Sequence, residues 1–492
     1  MTQLQSIDAR TGQPRGEAWA ESTAAHIDAA ADHAAAVAGD FAATSAATRA
    51  ALLRALGAAL EAERDTLAPL ADSETALGLP RLNGEIDRTV FQLRGFADVL
   101  DHGDAHQLVD DAAVAGAPPA GRPHLTRVRV PLGPVAMFSA SNFPFAFSVL
   151  GGDTASALAA GCPVVVKGHP AHPELTRSVA AIASRVVAAQ GLPAAVFQLV
   201  EGASIESGVQ LVKAAGIAAA AFTGSYRGGT ALARIASERP RPIPFFGELG
   251  SINPLVALPA ALEKNGAELA NTLAGSICLG SGQFCTSPGV IIVRKDALGD
   301  AFVTAFATAL QALVPHAMLT PGMRSGFDNG VARWRASSVV KPLVNDQAAP
   351  GATPRPFLGE VQAADFIAQH VLQEEVFGSA ALVVRVDSVD ETIAVLNAIG
   401  GTLTATLWGA DADTADNHRL VRAASQIAGR VLFAGVPTGV AVTAAQQHGG
   451  PFPASTAPGT TSVGYAAMDR FLRPVALQDA PAWLMARKGV PA

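Results

Sequence analysis

The sequence predicts an α/β protein with a parallel sheet covered by helices on both faces. Three observations predict it. Between residues 134 and 250, five short apolar runs alternate with helical stretches. Those runs are apolar throughout instead of alternating, as strands buried on both faces are. Polar residues gather where the runs end, and open parallel sheets bind ligands beyond the carboxyl ends of their strands.

Size and composition bound the rest. The 492 residues suggest three domain-sized units, or two large ones. With 49% hydrophobic and 16% charged residues, the chain is globular. A net charge of −7 favours neither nucleic acid nor an anionic membrane surface. Apolar runs stay shorter than the ~18 residues of a membrane span. The start, Met1-Thr-Gln-Leu-Gln-Ser-Ile-Asp, has no basic stretch leading an apolar one, so no secretory leader is expected. Three cysteines, Cys162, Cys278 and Cys285, argue for a reducing, cytoplasmic setting and against a disulfide framework. No cysteines or histidines stand at metal-ligand spacing along the chain, and no metal is expected.

In chain order, residues 1–20 read as an extended lead-in with turns. Helices are expected over 23–38, 48–63 and 85–100, the second with Leu52, Leu53, Leu56 and Leu60 on one face. A loop over 112–123 leads into an exposed strand, His124 to Val130. The parallel series has strands over 134–139, 163–166, 196–200, 217–222 and 243–246. Helices are expected up to Ala160 and over 174–190, 205–215 and 227–237. The second alternating region has strands over 290–293, 381–384, 404–408 and 430–433, with helices over 301–313, 389–399 and 412–424. A helix from near Asn271 carries Cys278, which reads with Cys162 as a packing residue. A late strand, 470–477, could pair with 124–130 as a protruding arm.

The chemistry centres on Gly280-Ser-Gly-Gln-Phe-Cys-Thr-Ser-Pro288. Small residues leave room beside the Cys285 sulfur. The thiol is a nucleophile if its neighbours stabilise the thiolate, and otherwise a small buried hydrophobe. Asn142 and the Cys285 backbone N–H are candidate donors to an oxyanion. Glu248 is a candidate base, with burial expected to raise its carboxyl pKa; alternatively it is a strand-end carboxylate. Gly224-Ser225, opening a helix, is expected to offer free backbone N–H groups to a phosphate, although Gly224 and Gly229 do not form GxGxxG. Lys167 suits a ribose or phosphate, or is a surface lysine. Gly202 marks another strand end. Arg88 lies on a helix whose bland reading is a solvated face.

Together these stretches resemble the aldehyde dehydrogenase superfamily. The resemblance rests on Ser141-Asn-Phe-Pro144, Val166-Lys167, Phe222-Thr-Gly-Ser225, Glu248-Leu-Gly-Ser-Ile-Asn-Pro254, Gly282-Gln-Phe-Cys285 and Glu374-Glu-Val-Phe-Gly378. It runs over nearly the whole chain. It implies a Rossmann-like cofactor domain (1–123 and 132–247), an α/β catalytic domain (248–450), and an oligomerisation arm and tail (124–131 and 451–492). It implies NAD(P)-dependent oxidation of an aldehyde through a Cys285 thiohemiacetal and thioester, with Asn142 on the oxyanion and Glu248 activating water. Lys167, Pro170, Gly202, Gly224, Ser225, Gly229, Glu375 and Phe377 would hold the cofactor. A homodimer or homotetramer is expected.

Glu74-Thr-Ala-Leu-Gly-Leu-Pro-Arg-Leu-Asn-Gly-Glu85, Arg88-Thr, Gln92-Leu-Arg94 and His448-Gly-Gly-Pro-Phe-Pro-Ala-Ser-Thr456 look like the α-ketoglutarate semialdehyde dehydrogenases. These oxidise 2,5-dioxopentanoate to 2-oxoglutarate, while some relatives take long-chain aldehydes. Arg88 would then pair with the far carboxylate of the substrate, with Phe143 also on the substrate side. Many NAD-using relatives carry a glutamate three residues after the lysine. Pro170 stands there, so NADP is expected to be accepted and preferred, with NAD still usable. A CoA-acylating enzyme, a cysteine hydrolase and a non-catalytic binding protein remain the alternatives.

Overall fold

The computed structural model describes residues 3–103, 108–345 and 351–485. Parts of the ranges expected at 1–123, 248–450 and 451–492 therefore lie outside the described residues.

The five apolar runs form one parallel sheet. Its order is Phe197–Val200, Val164–Lys167, Val135–Phe138, Ala219–Thr223, Phe245–Glu248. The chain starts in the middle, builds outward to one edge, then returns to build the other. The strand order thus reverses beside Val135–Phe138, and open parallel sheets bind ligands beyond the carboxyl ends at such a switch point. Helices at Gly152–Ala160, Pro173–Ala189, Ile205–Lys213 and Tyr226–Ser237 cover the faces. Val135, Val164, Val165, Val166 and Ala219 have no exposed surface, which accounts for their uninterrupted apolarity.

A second sheet has seven strands, ordered Lys341–Asn345, Phe357–Gln362, Ala380–Val386, Val290–Arg294, Leu255–Ala257, Thr402–Trp408, Ala428–Leu432. Only the Lys341–Asn345 edge runs antiparallel. A third sheet pairs Leu472–Gln478 with Leu125–Pro131, as expected for the late strand, and adds Val109–Asp111. The lead-in is a hairpin of Gln3–Ile7 and Pro14–Ala20.

Several elements differ from the sequence reading. Arg64–Thr75 is helical despite Pro69, which sits within it. Pro321–Ala336, with Pro at its first turn and Thr320 as cap, is a helix that passed unread. The helix bearing Cys278 starts at Pro259, with a break in helical geometry at Asn265. The helix carrying Arg88 spans Leu79–His102, and Pro80 and Gly103 account for its ends. Leu255–Ala257, three residues long, is too short to show a period.

Candidate active site

Cys285 sits at the end of a contorted stretch. Helix Pro259–Cys278 gives way to Gly280, Ser281 and Gly282, all with left-handed φ between 57° and 70°. Gly282 needs this freedom, because a Cβ there would meet the Gly378 carbonyl carbon at 2.2 Å. Ser281 is a fully buried non-glycine residue in the same region, with Oγ donating to the His316 carbonyl at 2.7 Å. Asn253 fixes the far side of the turn. Its side-chain amide donates to the carbonyls of Cys285 at 2.9 Å and Ser287 at 3.0 Å.

Glu248 ends the edge strand Phe245–Glu248 and is 4% exposed. Its Oε2 accepts from Ser462 Oγ at 2.5 Å, and its Oε1 lies 3.0 Å from His448 Nε2. The same His448 nitrogen lies 3.6 Å from Cys285 Sγ. An ionised carboxylate only accepts, so Nε2 carries the proton, shared between the two neighbours. Ser455, Ser462 and His448 are remote in sequence from Glu248, yet Ser455 bridges its backbone while the other two hold its carboxylate.

The electrostatics depart from the sequence reading in two places. Burial pushes the Glu248 carboxyl up, but charge and hydrogen bonding from His448, with Ser462 and Cys285, outweigh it. The net direction is down, which corrects the expected rise. Cys285 moves the other way. Burial pushes its thiol well above the ordinary range, Glu248 and Glu375 add to the rise, and Arg88 only partly opposes them. The neighbours therefore keep this a thiol at rest.

Asn142 is buried just beyond the central strand. Its amide donates to the Gln283 carbonyl at 3.0 Å, tying it to the cysteine loop. Its own carbonyl accepts from Arg81 at 2.5 Å, and the Arg81 guanidinium lies 5.0 Å from the Phe143 ring centre and 4.8 Å from that of Phe284. Phe143 packs edge-on against Phe147 and Phe284. Glu85 secures this loop on helix Leu79–His102 by accepting the N–H groups of Phe145 and Ala146 at 2.8 and 3.0 Å.

Arg88, one turn further along that helix, faces inward. The solvated-face alternative does not hold: Nη1 donates to the Val440 carbonyl at 2.5 Å, and the guanidinium lies 5.7 Å from the Phe147 ring centre. Its Nε and Nη2 are buried with no hydrogen-bond partner. Burial lowers its pKa, while Glu85 and Cys285 pull the other way. A planar donor fork with two unpaired buried nitrogens suits an anionic ligand group.

Lys167, Pro170, Gly202, Gly224 and Ser225 stand at or just beyond the carboxyl ends of strands of the five-stranded sheet. Lys167 Nζ donates to the Gly202 carbonyl at 2.5 Å, and burial lowers its pKa to about 8. Pro170 lies in the turn that follows. His172 is buried and lowered to about 4 by desolvation, and His169 is lowered well below its usual value, so both are neutral. Ser225 caps the twelve-residue helix Tyr226–Ser237 and is exposed with Gly224. The Gly224 N–H is not free, however: it donates to the Glu248 carbonyl at 3.1 Å, correcting that expectation. Gly229 is buried, and a Cβ there would meet Leu249 Cδ2 at 2.1 Å, so it acts through packing. Glu375 abuts Gly250, where a Cβ would come within 2.5 Å of Oε2. Burial raises the Glu375 carboxyl to about 7. Glu375 and Phe377 line a small cavity with Gly282 and Phe284. A lysine, an exposed helix N-terminus and a carboxylate are residue types suited to a dinucleotide's ribose, phosphate and second ribose.

Cys162 and Cys278 lie apart from this site, each pushed up to about 11 by burial. The sequence reading singled out neither His448 nor Asn253. Both stood inside noted stretches, and the signal for His448 was a polar residue preceding two glycines.

Comparison with known proteins agrees with this arrangement. The model of the aldehyde dehydrogenase family matches residues 2–451. Alpha-ketoglutaric semialdehyde dehydrogenase 2 of Azospirillum brasilense is 44% identical over 86% of this chain and 82% of its own length. Alpha-ketoglutaric semialdehyde dehydrogenase of Acinetobacter baylyi is 38% identical over 97% and 90%. Among solved structures, aldehyde dehydrogenase 21 of Physcomitrella patens shares the fold at a TM-score of 0.80 and 21% identity, covering 97% of this chain and 94% of that one. The chain belongs to the aldehyde dehydrogenase family and oxidises aldehydes with NAD or NADP.

Proposed function

We propose that the enzyme oxidises 2,5-dioxopentanoate to 2-oxoglutarate and accepts NADP. The observation that carries the substrate is Arg88, whose Nε and Nη2 are buried without partners and which couples electrostatically to Cys285. A carboxylate at the far end of a short semialdehyde would satisfy both nitrogens. The names of the two relatives support the same substrate. An alkyl chain would leave the cation buried and unpaired.

In this reading Cys285 Sγ forms the C–S bond to the aldehyde carbon, and its proton passes toward Glu248, the acceptor at hand. The Asn142 amide and the Cys285 N–H hold the resulting oxyanion. The bound nicotinamide supplies the hydride acceptor. Once that proton has passed to solvent, Glu248 takes a proton from water as it attacks the thioester, and returns it to the sulfur as the C–S bond breaks, releasing the acid and restoring the thiol. Lys167 and Ser225 orient the adenosine end, and Glu375 and Phe377 the nicotinamide end. Pro170 removes the carboxylate that would repel a 2′-phosphate. The three-stranded sheet is the proposed assembly element of a cytoplasmic homodimer or homotetramer.

Initial rates of NADPH and NADH formation with 2,5-dioxopentanoate, succinate semialdehyde and a long-chain aldehyde test this. Preference for the first, with NADPH formed, supports it. A faster long-chain aldehyde removes the substrate assignment.

A further inference from the structure

We infer that Cys285, His448 and Glu248 form a site for a zinc-like divalent cation, and that its occupation blocks the nucleophile. Sγ, Nε2 and the carboxylate oxygen all lie within 4.8 Å of one another, and among the described residues no other group of three such ligands does.

The ligand types and spacings fit. Zinc takes thiolate, imidazole and carboxylate together, whereas calcium and magnesium want oxygen alone. Bonds of ~2.3 Å to sulfur and ~2.0 Å to nitrogen at tetrahedral angles place those atoms ~3.5 Å apart. Sγ and Nε2 stand 3.6 Å apart. Nε2 and Glu248 Oε1, at 3.0 Å, need to open by a few tenths of an ångström. Of the outer partners, Ser462 Oγ holds the second carboxylate oxygen, and the His448 backbone is tied by its N–H to Thr461 Oγ1 at 2.8 Å, while ring Nδ1 is unpaired. Cys285 is half-buried as a residue, less enclosed than Glu248 and His448.

The protons balance simply. The metal displaces the thiol proton to solvent, and the imidazole proton moves from Nε2 to Nδ1, which has no partner of its own. No electrons are transferred. The metal-bound sulfur has its lone pair committed and its carboxylate neighbour occupied, so it cannot attack an aldehyde.

The full-length protein is titrated with Zn²⁺ by equilibrium dialysis and with Co²⁺ by absorption. Wild type is expected to bind one ion per chain and show the near-ultraviolet band of a sulfur–cobalt bond. Cys285→Ser is expected to lose that band, and Cys285→Ser and His448→Asn each to weaken Zn²⁺ binding by ~10-fold or more. A band that survives Cys285→Ser, or Zn²⁺ affinity unchanged in both variants, overturns the site. Chelator-reversible inhibition of wild-type turnover is the functional arm, and it rests on Cys285 being the nucleophile. Dialysis and spectroscopy do not, so failure of the site is distinguishable from failure of the catalytic reading.

Discussion

Glu248 keeps the Cys285 thiol protonated: its carboxylate stands within 4.8 Å of the sulfur, and its charge adds to the burial that already raises the thiol. Two anions cannot share this space. The carboxylate is the one that stays charged, because His448 and Ser462 hold it down.

Glu248→Gln is therefore expected to make Cys285 more reactive toward iodoacetamide at pH 8 in the absence of cofactor. The expected gain is about three- to tenfold, since one pKa unit is tenfold in thiolate. Turnover should fall at the same time, as hydrolysis loses its base. The alkylation rate of wild type should climb with pH to well above pH 9. Slower alkylation of the variant would show that Glu248 draws the proton off the thiol at rest.

Glu375 predicts a pH dependence of stability. Burial raises its carboxyl from 4.5 to about 7 in the folded chain. Between those values the folded state binds more proton than the unfolded one, so stability falls as pH rises from about 4.5 to 7. Glu375→Gln has no charge to bury and is expected to flatten that part of the thermal midpoint profile. An unchanged slope would place the dependence elsewhere.

Gly282 and Gly275 form a matched pair. A methyl group at Gly282 meets the Gly378 backbone at 2.2 Å and adopts φ +70°, whereas at Gly275 nothing lies within 4 Å. Gly282→Ala is expected to abolish turnover, because neither backbone can yield without moving Cys285. Gly275→Ala, inside helix Pro259–Cys278, is expected to keep full activity and gain up to ~1 kcal/mol in stability. Full activity in Gly282→Ala would show that the loop's left-handed turn is not what positions the sulfur.

Pro170 predicts cofactor choice. His169 and His172 are neutral, which leaves Lys167 as the cation beside this turn. Pro170→Glu is expected to raise KM for NADP by tenfold or more through like-charge repulsion, with a much smaller effect on NAD. Equal effects on both cofactors would mean that Pro170 does not lie near the 2′ position.

Sequence alone showed the parallel sheet because Val164-Val-Val and Ala219-Ala-Ala bury both faces, which leaves no polar alternation to confuse the reading. It showed Cys285 and Glu248 because strand ends and small neighbours are local features. It missed the outcome of their meeting. His448 lies 163 residues from Cys285 and 200 from Glu248, and only the folded chain brings one imidazole between them. The direction of the Glu248 shift depended on that imidazole and on Ser462, so burial alone gave the wrong sign. Gly224 misled for a similar reason: its N–H looked free at a helix start, but the neighbouring strand's Glu248 carbonyl takes it.

The measurement that tests the account most directly compares kcat/KM for 2,5-dioxopentanoate and for a long-chain aldehyde, in wild type and in Arg88→Met. Losing a buried charge-assisted pair costs ~2–5 kcal/mol. The account predicts a fall of at least ~30-fold on 2,5-dioxopentanoate, the lower end of that range, with the long-chain aldehyde unchanged or improved. An equal effect on both substrates, or none on either, would contradict Arg88 as the carboxylate partner.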